Sequence, residues 1–190
     1  MAGELVEKTL GDGAKPRADL EDGQMTRLLE GALLAAKDTY EERKLPLLAN
    51  LLATAPFTAT PLPNLVGTLQ VAESLTYRQL CILAVIRPYV GWPIPTLTTK
   101  NLVNLFGQEP LAEATEGVLS DLVSLVGQNL VVHAPGGAIT AVVTGDLIPA
   151  EMVLTHPGRL LYNGLRLGAV ANEDLADAYA VLGVQDEDRD

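Results

Sequence analysis

The order of local patterns across residues 75–167 constrains the fold of this chain more than any other feature of the sequence. Thr76 and Gln79 have the spacing of a capping box, and Leu75 and Leu80 around them have the spacing of a hydrophobic staple. We therefore expect a helix to begin after Thr76. Two more helical patterns, a glycine-turn hairpin pattern and another helical pattern follow. The sequence thus predicts a mainly α fold with a small β wing.

The expected main domain covers residues 64–168, and Asn64 is expected to cap its first helix. The longest helix of this domain is expected from about residue 111 until Gly127 ends it, because apolar residues recur there at helical spacing. A hairpin is expected over residues 130–143, where β-branched residues flank the glycine-rich turn Pro135-Gly136-Gly137. The remaining patterns are a β-like run at 151–155 and helices at 158–167 and 172–182.

Three segments are expected outside the main domain. Residues 1–24 predict a flexible acidic tail, and residues 169–190 predict a C-terminal helix with an acidic tail. Residues 25–63 predict a helical hairpin followed by an extended, proline-rich connector that covers residues 55–63. Pro46 removes a backbone donor from the second helix of this hairpin, so we expect either a kink or a fresh helix start there.

The net charge of −11 limits the partners of the chain. An acidic surface repels phosphate backbones and anionic lipid headgroups, so we expect a protein partner and neither nucleic acid nor membrane. The longest apolar run, residues 80–86, is far shorter than the roughly 18 residues that a membrane span needs. Residues 1–24 show no signal-peptide pattern, and we therefore expect a cytoplasmic protein.

Few residues have the spacing that catalytic or metal chemistry requires. His133 and His156 are 23 residues apart and match no metal-ligand spacing. Cys81 is the single cysteine, so no internal disulfide is possible, and its apolar neighbours predict a buried, inert thiol. The sequence contains no phosphate-binding loop and no G-x-S-x-G nucleophile elbow. We therefore expect no catalytic, cofactor-binding or metal-binding residues, and we do not expect an enzyme.

Residues 75–167 resemble a winged-helix (winged helix-turn-helix) domain. The resemblance rests on the helix start Leu75-Thr76-Tyr77-Arg78-Gln79-Leu80, the short helix that ends at Gly107, the helix that ends at Gly127 and the wing that follows. In addition, the segment Leu154-Thr155-His156-Pro157-Gly158-Arg159-Leu160-Leu161 is similar to the L-T-x-x-G-x-x-L entry into the helix after the wing in many bacterial winged helices.

The winged-helix resemblance implies DNA binding, with the third helix in the major groove. Residues 97–158, which include that helix and the wing, carry one base, Lys100, against six carboxylates, a net charge of −5. Because affinity for DNA depends largely on cations that neutralise phosphates, we do not expect this face to bind nucleic acid. A DNA-binding transcriptional regulator that uses an atypical face is the alternative. A small-molecule sensor with a pocket near Trp92 is a third interpretation.

The leucine-rich helix around residues 45–52 is apolar over much of its circumference, which is typical of a helix buried on two sides or of an oligomer interface. Together with the helix start at 75–83, it also resembles uncharacterised bacterial proteins, some of them associated with abortive infection of phage. We therefore expect a non-catalytic winged-helix module for protein interaction or adaptor work, regulatory in character, in a bacterium or phage. Its partner is expected to be a protein, with self-association as one form. The candidate interaction surface comprises Leu45, Leu48, Leu52, Glu113, Glu116, Asp121, Leu175 and Tyr179.

Overall fold

A computed structural model of the chain describes residues 41–58, 61–86, 113–133 and 152–182, with four isolated residues nearer the N terminus: Gly23, Thr26, Glu30 and Gly31. Over these residues the protein is mainly helical and has a two-stranded antiparallel sheet, which confirms the mainly α character and the small β content of the predicted fold. Among the same residues, no helix has the length and apolar character needed to cross a membrane. The first helix of the predicted hairpin, the second arm of the wing and both acidic tails lie largely outside the described residues.

Six α-helices and two β-strands are described, in the order α1 to α4, β1, β2, α5, α6. Their bounds are α1 Leu45–Thr54, α2 Leu62–Ser74, α3 Tyr77–Val85, α4 Glu113–Gly127, β1 Val131–His133, β2 Met152–Leu154, α5 His156–Gly164 and α6 Asn172–Leu182. Short 3-10 turns are present at Glu42–Lys44, Ala55–Phe57 and Leu167–Ala169. The helix predicted over 172–182 is confirmed as α6.

The described residues belong to two compact units. The first unit comprises 41–58, 61–77 and 163–167, and the second comprises 78–86, 113–133, 152–162 and 168–182. The first unit therefore contains α1 and α2, whereas the second contains the sheet, α4 and α6. The boundary that the sequence predicted, at Pro63, lies in the first turn of α2, whereas the units divide after Tyr77.

Proline residues mark the starts of the first two helices. Pro46 lies in the first turn of α1, where a missing N–H costs nothing, so the predicted fresh start is confirmed. The predicted extended connector is wrong in part, because Ala55–Phe57 forms a 3-10 turn and α2 already begins at Leu62. Pro63 occupies the first turn of α2. Asn64 is therefore not the cap: its N–H donates to the Pro61 carbonyl at 3.0 Å.

The core of the first unit consists of leucine and alanine side chains from α1, α2 and the residues that follow them. Gly164 allows close packing there, since a Cβ at this position would lie 2.7 Å from Cδ1 of Leu51. This arrangement explains the leucine content of α1, because each leucine on its inner side is removed from water. The buried apolar residues of the two helices and their ends are Leu47, Leu48, Leu51, Ala55, Leu65, Leu69, Ala72 and Leu75.

In the second unit, α4 packs against α6 and β1 and ends as predicted at Gly127. The chain turns two residues later, at Asn129, which has a left-handed φ of 56°. The Leu130 N–H donates to the Leu125 carbonyl at 3.0 Å, and the Asn129 N–H donates to the Val126 carbonyl at 2.9 Å. These two bonds form a Schellman motif, which brings the buried side chains of Leu125 and Leu130 together at the helix end.

The sheet of the second unit pairs β1 with β2 in antiparallel register. Val131 lies opposite Leu154, and His133 lies opposite Met152. The β-like run at 151–155 is thus confirmed as a strand. The partner predicted for the first wing strand, residues 138–143, lies outside the described part of the chain.

Thr155 joins β2 to α5 and determines where that helix begins. Its N–H donates to the Leu130 carbonyl at 3.0 Å, and its hydroxyl accepts the Gly158 N–H at 3.2 Å. The prediction that the helix begins at Gly158 is therefore wrong: α5 begins at His156, with Thr155 as its cap. Gly158 is instead needed for close approach, because an added Cβ would collide with the Leu130 carbonyl oxygen.

Substitution of this glycine tests the close approach. We expect Gly158→Ala to lower the free energy of unfolding by about 1–3 kcal/mol, because the Leu130 carbonyl must move and already accepts the Thr155 N–H. Gly67→Ala in α2 is the matched control: a Cβ there has no neighbour within 4 Å, so its helix propensity should add about 0.5–1 kcal/mol. Urea denaturation measures both, and equal stability of the two variants would contradict this account.

Candidate interaction surface

The amine of Lys44 caps the C-terminal end of α2. Lys44 is only 3% exposed, and its Nζ donates to the Glu73 carbonyl at 2.8 Å and to the Leu75 carbonyl at 2.6 Å. The last carbonyls of a helix have no partner within the helix and carry the negative end of its dipole. A cation at this position therefore satisfies two backbone acceptors and interacts favourably with the helix dipole.

Burial of the Lys44 amine has an electrostatic cost. Desolvation lowers the pKa of Lys44 from its usual 10.5, whereas the nearby carboxylates of Glu41 and Glu73 favour the charged form and raise it. The two carbonyl contacts and the two carboxylates thus offset part of the desolvation cost. These hydrogen bonds explain how the charged residue Lys44 can be buried within a leucine-rich segment.

Glu41 has the complementary role at the start of α3. Its Oε2 accepts the backbone N–H of Tyr77 at 2.7 Å, which places a carboxylate at the positive end of that helix. The guanidinium of Arg43 lies 5.9 Å from the centroid of the Tyr77 ring, a cation–π distance. The turn Glu42–Lys44 is thereby fixed to the residues that join α2 to α3, and α1 begins directly after it.

The two sides of α1 differ in exposure. Leu47, Leu48 and Leu51 are buried, whereas Leu45 is 36% exposed. We call the outward row of α1 the outer face. It comprises the exposed residues Leu45, Pro46 and Ala49 and the half-buried residues Leu52 and Ala53.

The outer face of α1 carries no charge and few free polar groups. Residues 45–58 contain no charged side chain, whereas each of the other described helices contains at least one. Asn50 uses its amide to donate to the Leu165 carbonyl at 3.3 Å. The Thr54 hydroxyl donates to the Asn50 carbonyl, 2.9 Å away in the same helix. The outer face is therefore an apolar row on an otherwise acidic protein.

Three residues of the predicted interaction surface are buried. Leu48 is 3% exposed and Leu175 is 0% exposed, so both belong to the core, and their apolar character is explained by packing within the chain. Asp121 is 9% exposed. The prediction that these three residues belong to an interaction surface is therefore wrong, because their side chains are buried.

Asp121 is held by two side chains from the start of α3. Arg78 Nε lies 2.5 Å from Asp121 Oδ2, and Gln79 Nε2 donates to Oδ1 at 3.2 Å. Gly117, one turn earlier in α4, leaves room for the Arg78 guanidinium, since a Cβ would lie 2.7 Å from its Nη1. Asp121 therefore does not contribute to an acidic outer face. Sequence reasoning missed this pair because the two residues are 43 positions apart.

The remaining predicted residues are accessible to different degrees. Leu45 and Glu116 are exposed, and Leu52 and Tyr179 are half-buried. The side chain of Glu113 is outside the described ones, although its backbone forms the first residue of α4. Among the residues of this set whose side chains are described, Leu45 and Leu52 lie on one helix, and both belong to the outer face of α1.

The described residues offer few groups for covalent or metal chemistry. Within them, no group of three His, Cys, Asp or Glu side chains is arranged to hold a metal ion. Cys81 is buried and forms no disulfide, as the sequence predicted. No family model, curated protein or solved structure matches the chain. The functional proposal therefore rests on which side chains are exposed to solvent.

The contact between Glu41 and Tyr77 can be tested by a pair of adjacent substitutions. Glu41→Ala is expected to lower the free energy of unfolding by about 1 kcal/mol, because α3 loses the carboxylate that accepts its first N–H. Glu42→Ala removes the same charge from an exposed neighbouring position and should change stability by less than about 0.5 kcal/mol. Urea denaturation at one ionic strength compares them. Equal losses in the free energy of unfolding would mean that the change in net charge, and not the loss of the cap, causes the destabilisation.

Proposed function

We propose that the protein is a non-catalytic protein-interaction module and that the outer face of α1 is its binding surface. The observation that carries this proposal is the exposed, uncharged row around Leu45 and Ala49 on a chain of net charge −11. Exposed apolar rows on charged surfaces are common features of contact sites. We interpret the second unit as the winged-helix part of the module, supported by the order α3, α4, β1, β2, α5.

The energetics of apolar contact favour a protein partner for this surface. Burial of a leucine side chain contributes about 1.5–3 kcal/mol relative to leaving it in water. Leu45 retains a third of its exposure and Leu52 a smaller part, so both have further surface to bury. A charged ligand would gain nothing from this row, which offers neither a cation nor a carboxylate.

Exposed residues of α4 favour protein contact over DNA contact in the winged-helix interpretation. The helix contains no Lys or Arg, and its exposed positions include Glu116 and Ser120. A major-groove helix would bring Glu116 toward phosphates without a neighbouring cation in the same helix. The proposal therefore assigns the binding role to α1.

Site-specific photocrosslinking in the native host tests the proposed surface. A photocrosslinking amino acid in place of Ala49 should attach to a polypeptide, because this exposed position lies at the middle of the outer face. The matched control is the same amino acid in place of Val66, an exposed apolar position on α2 with 36% of its surface accessible. Denaturing gel electrophoresis and mass spectrometry identify the products.

The expected result is a discrete crosslinked band from position 49 that is several-fold stronger than any band from position 66. A second copy of the chain and a different protein both count as a polypeptide partner here. Bands of equal strength from the two positions, or no band from position 49, would contradict the proposed surface.

A further inference from the structure

We propose that the outer face of α1 binds the same face of a second copy of this chain, with the two helices antiparallel and Ala49 at the two-fold axis. This inference rests on the proposed function and specifies the partner. Two observations carry it: the sizes of the side chains along the outer face and the absence of charge there.

The sizes of the side chains at every fourth position are complementary to themselves. Leu45, Ala49 and Ala53 form one row of the kind that packs against a neighbouring helix, with a large residue at one end and small residues at the middle and other end. In an antiparallel pair centred on Ala49, Leu45 of one copy lies opposite Ala53 of the other. Large residues thus meet small ones on both sides of the axis, and the two Ala49 residues allow close approach at the centre.

A parallel pair does not have this complementarity. It would place Leu45 opposite Leu45 and Ala53 opposite Ala53, with crowding at one end and a gap at the other. The order of sizes along α1 therefore selects the antiparallel arrangement.

The absence of charge on the outer face makes it compatible with contact between two acidic copies. A two-fold contact brings identical surfaces together, so any charged side chain near the axis lies close to an identical charge. The outer face meets this condition because residues 45–58 are uncharged, whereas α4 and α6 expose Glu116 and Glu173. A basic partner would be drawn to those carboxylates instead. Within the described part of the chain, the outer face of α1 is therefore one that a second acidic copy can approach without like-charge contact at the axis.

The length of α1 sets the strength of the contact. Its ten residues span about 15 Å, and stable interfaces usually bury about 800 Å² on each partner. A single helix of this length supplies only part of that area, with the half-buried Pro56 and Phe57 extending it. The pair should therefore be in reversible equilibrium with the monomer, and the dimer fraction should rise with protein concentration.

Cysteine crosslinking of the full-length chain tests both the partner and the direction. Leu45→Cys and Ala53→Cys are made as separate proteins, mixed and oxidised with copper–phenanthroline. The mixture should form a Leu45→Cys/Ala53→Cys disulfide dimer, several-fold above the level of either protein alone. In the antiparallel pair, two copies of residue 45 are separated by eight residues along the axes, about 12 Å, which is beyond the roughly 7 Å that a disulfide allows.

Two controls accompany the mixture. Val66→Cys places a thiol at an exposed site on α2 that is not one of the outer-face residues, and the unsubstituted chain has only the buried Cys81. Circular dichroism melting shows that each variant is folded. A mixed disulfide no more abundant than the Val66→Cys dimer would overturn the proposal. A Leu45→Cys dimer that forms more readily than the mixed one would overturn the antiparallel arrangement.

The two proposals can fail separately. Photocrosslinks from position 49 to a different protein, with no mixed disulfide in the purified chain, would overturn self-pairing and leave the surface assignment intact. Failure of both experiments would overturn both.

Discussion

A buried ammonium group and a nearby carboxylate hold the ends of two successive helices. Lys44 donates to carbonyls at the end of α2, and Glu41 accepts the first N–H of α3. Each charge is placed at the helix end of opposite dipole sign. Burial of Lys44 has a desolvation cost, which two strong hydrogen bonds and two nearby carboxylates offset in part. Because α1 begins at the next residue, this turn also fixes where the outer face starts.

The charge distribution along the first unit follows from that turn. In its ranges 41–58, 61–77 and 163–167, the ionic side chains lie before α1, at the end of α2 and at Arg166, and residues 45–58 contain none. The buried side of α1 supplies the core, while Leu45 and Ala49 remain outside it. On a chain of net charge −11, an uncharged helix is the place where apolar contact meets the least repulsion. The proposed self-pairing is the consequence of these two features.

Local patterns predicted much of the fold, and long-range contacts explain what they did not. The end of α4 and the whole of α6 depend on nearby residues and were predicted correctly, as was the residue after which α3 begins, and a fresh start of α1 was one of two predicted alternatives. The roles of Lys44 and Asp121 were not predicted, because their partners lie 29, 31 and 43 residues away. In the candidate surface, helical spacing identified α1 as apolar on most sides. It could not separate buried Leu48 from exposed Leu45, since that depends on where α2 packs.

The molar mass of the purified chain as a function of concentration tests the central claim most directly. Multi-angle light scattering after size-exclusion chromatography, with loading from about 1 μM to about 1 mM, covers the range of a weak helix-mediated contact. The account predicts a mass that rises from 20.1 kDa toward twice that value. It also predicts that Leu45→Glu holds the mass at the monomer value, because two carboxylates would then be brought to the shared face. A native chain that stays at 20.1 kDa over the whole range would contradict self-pairing through α1.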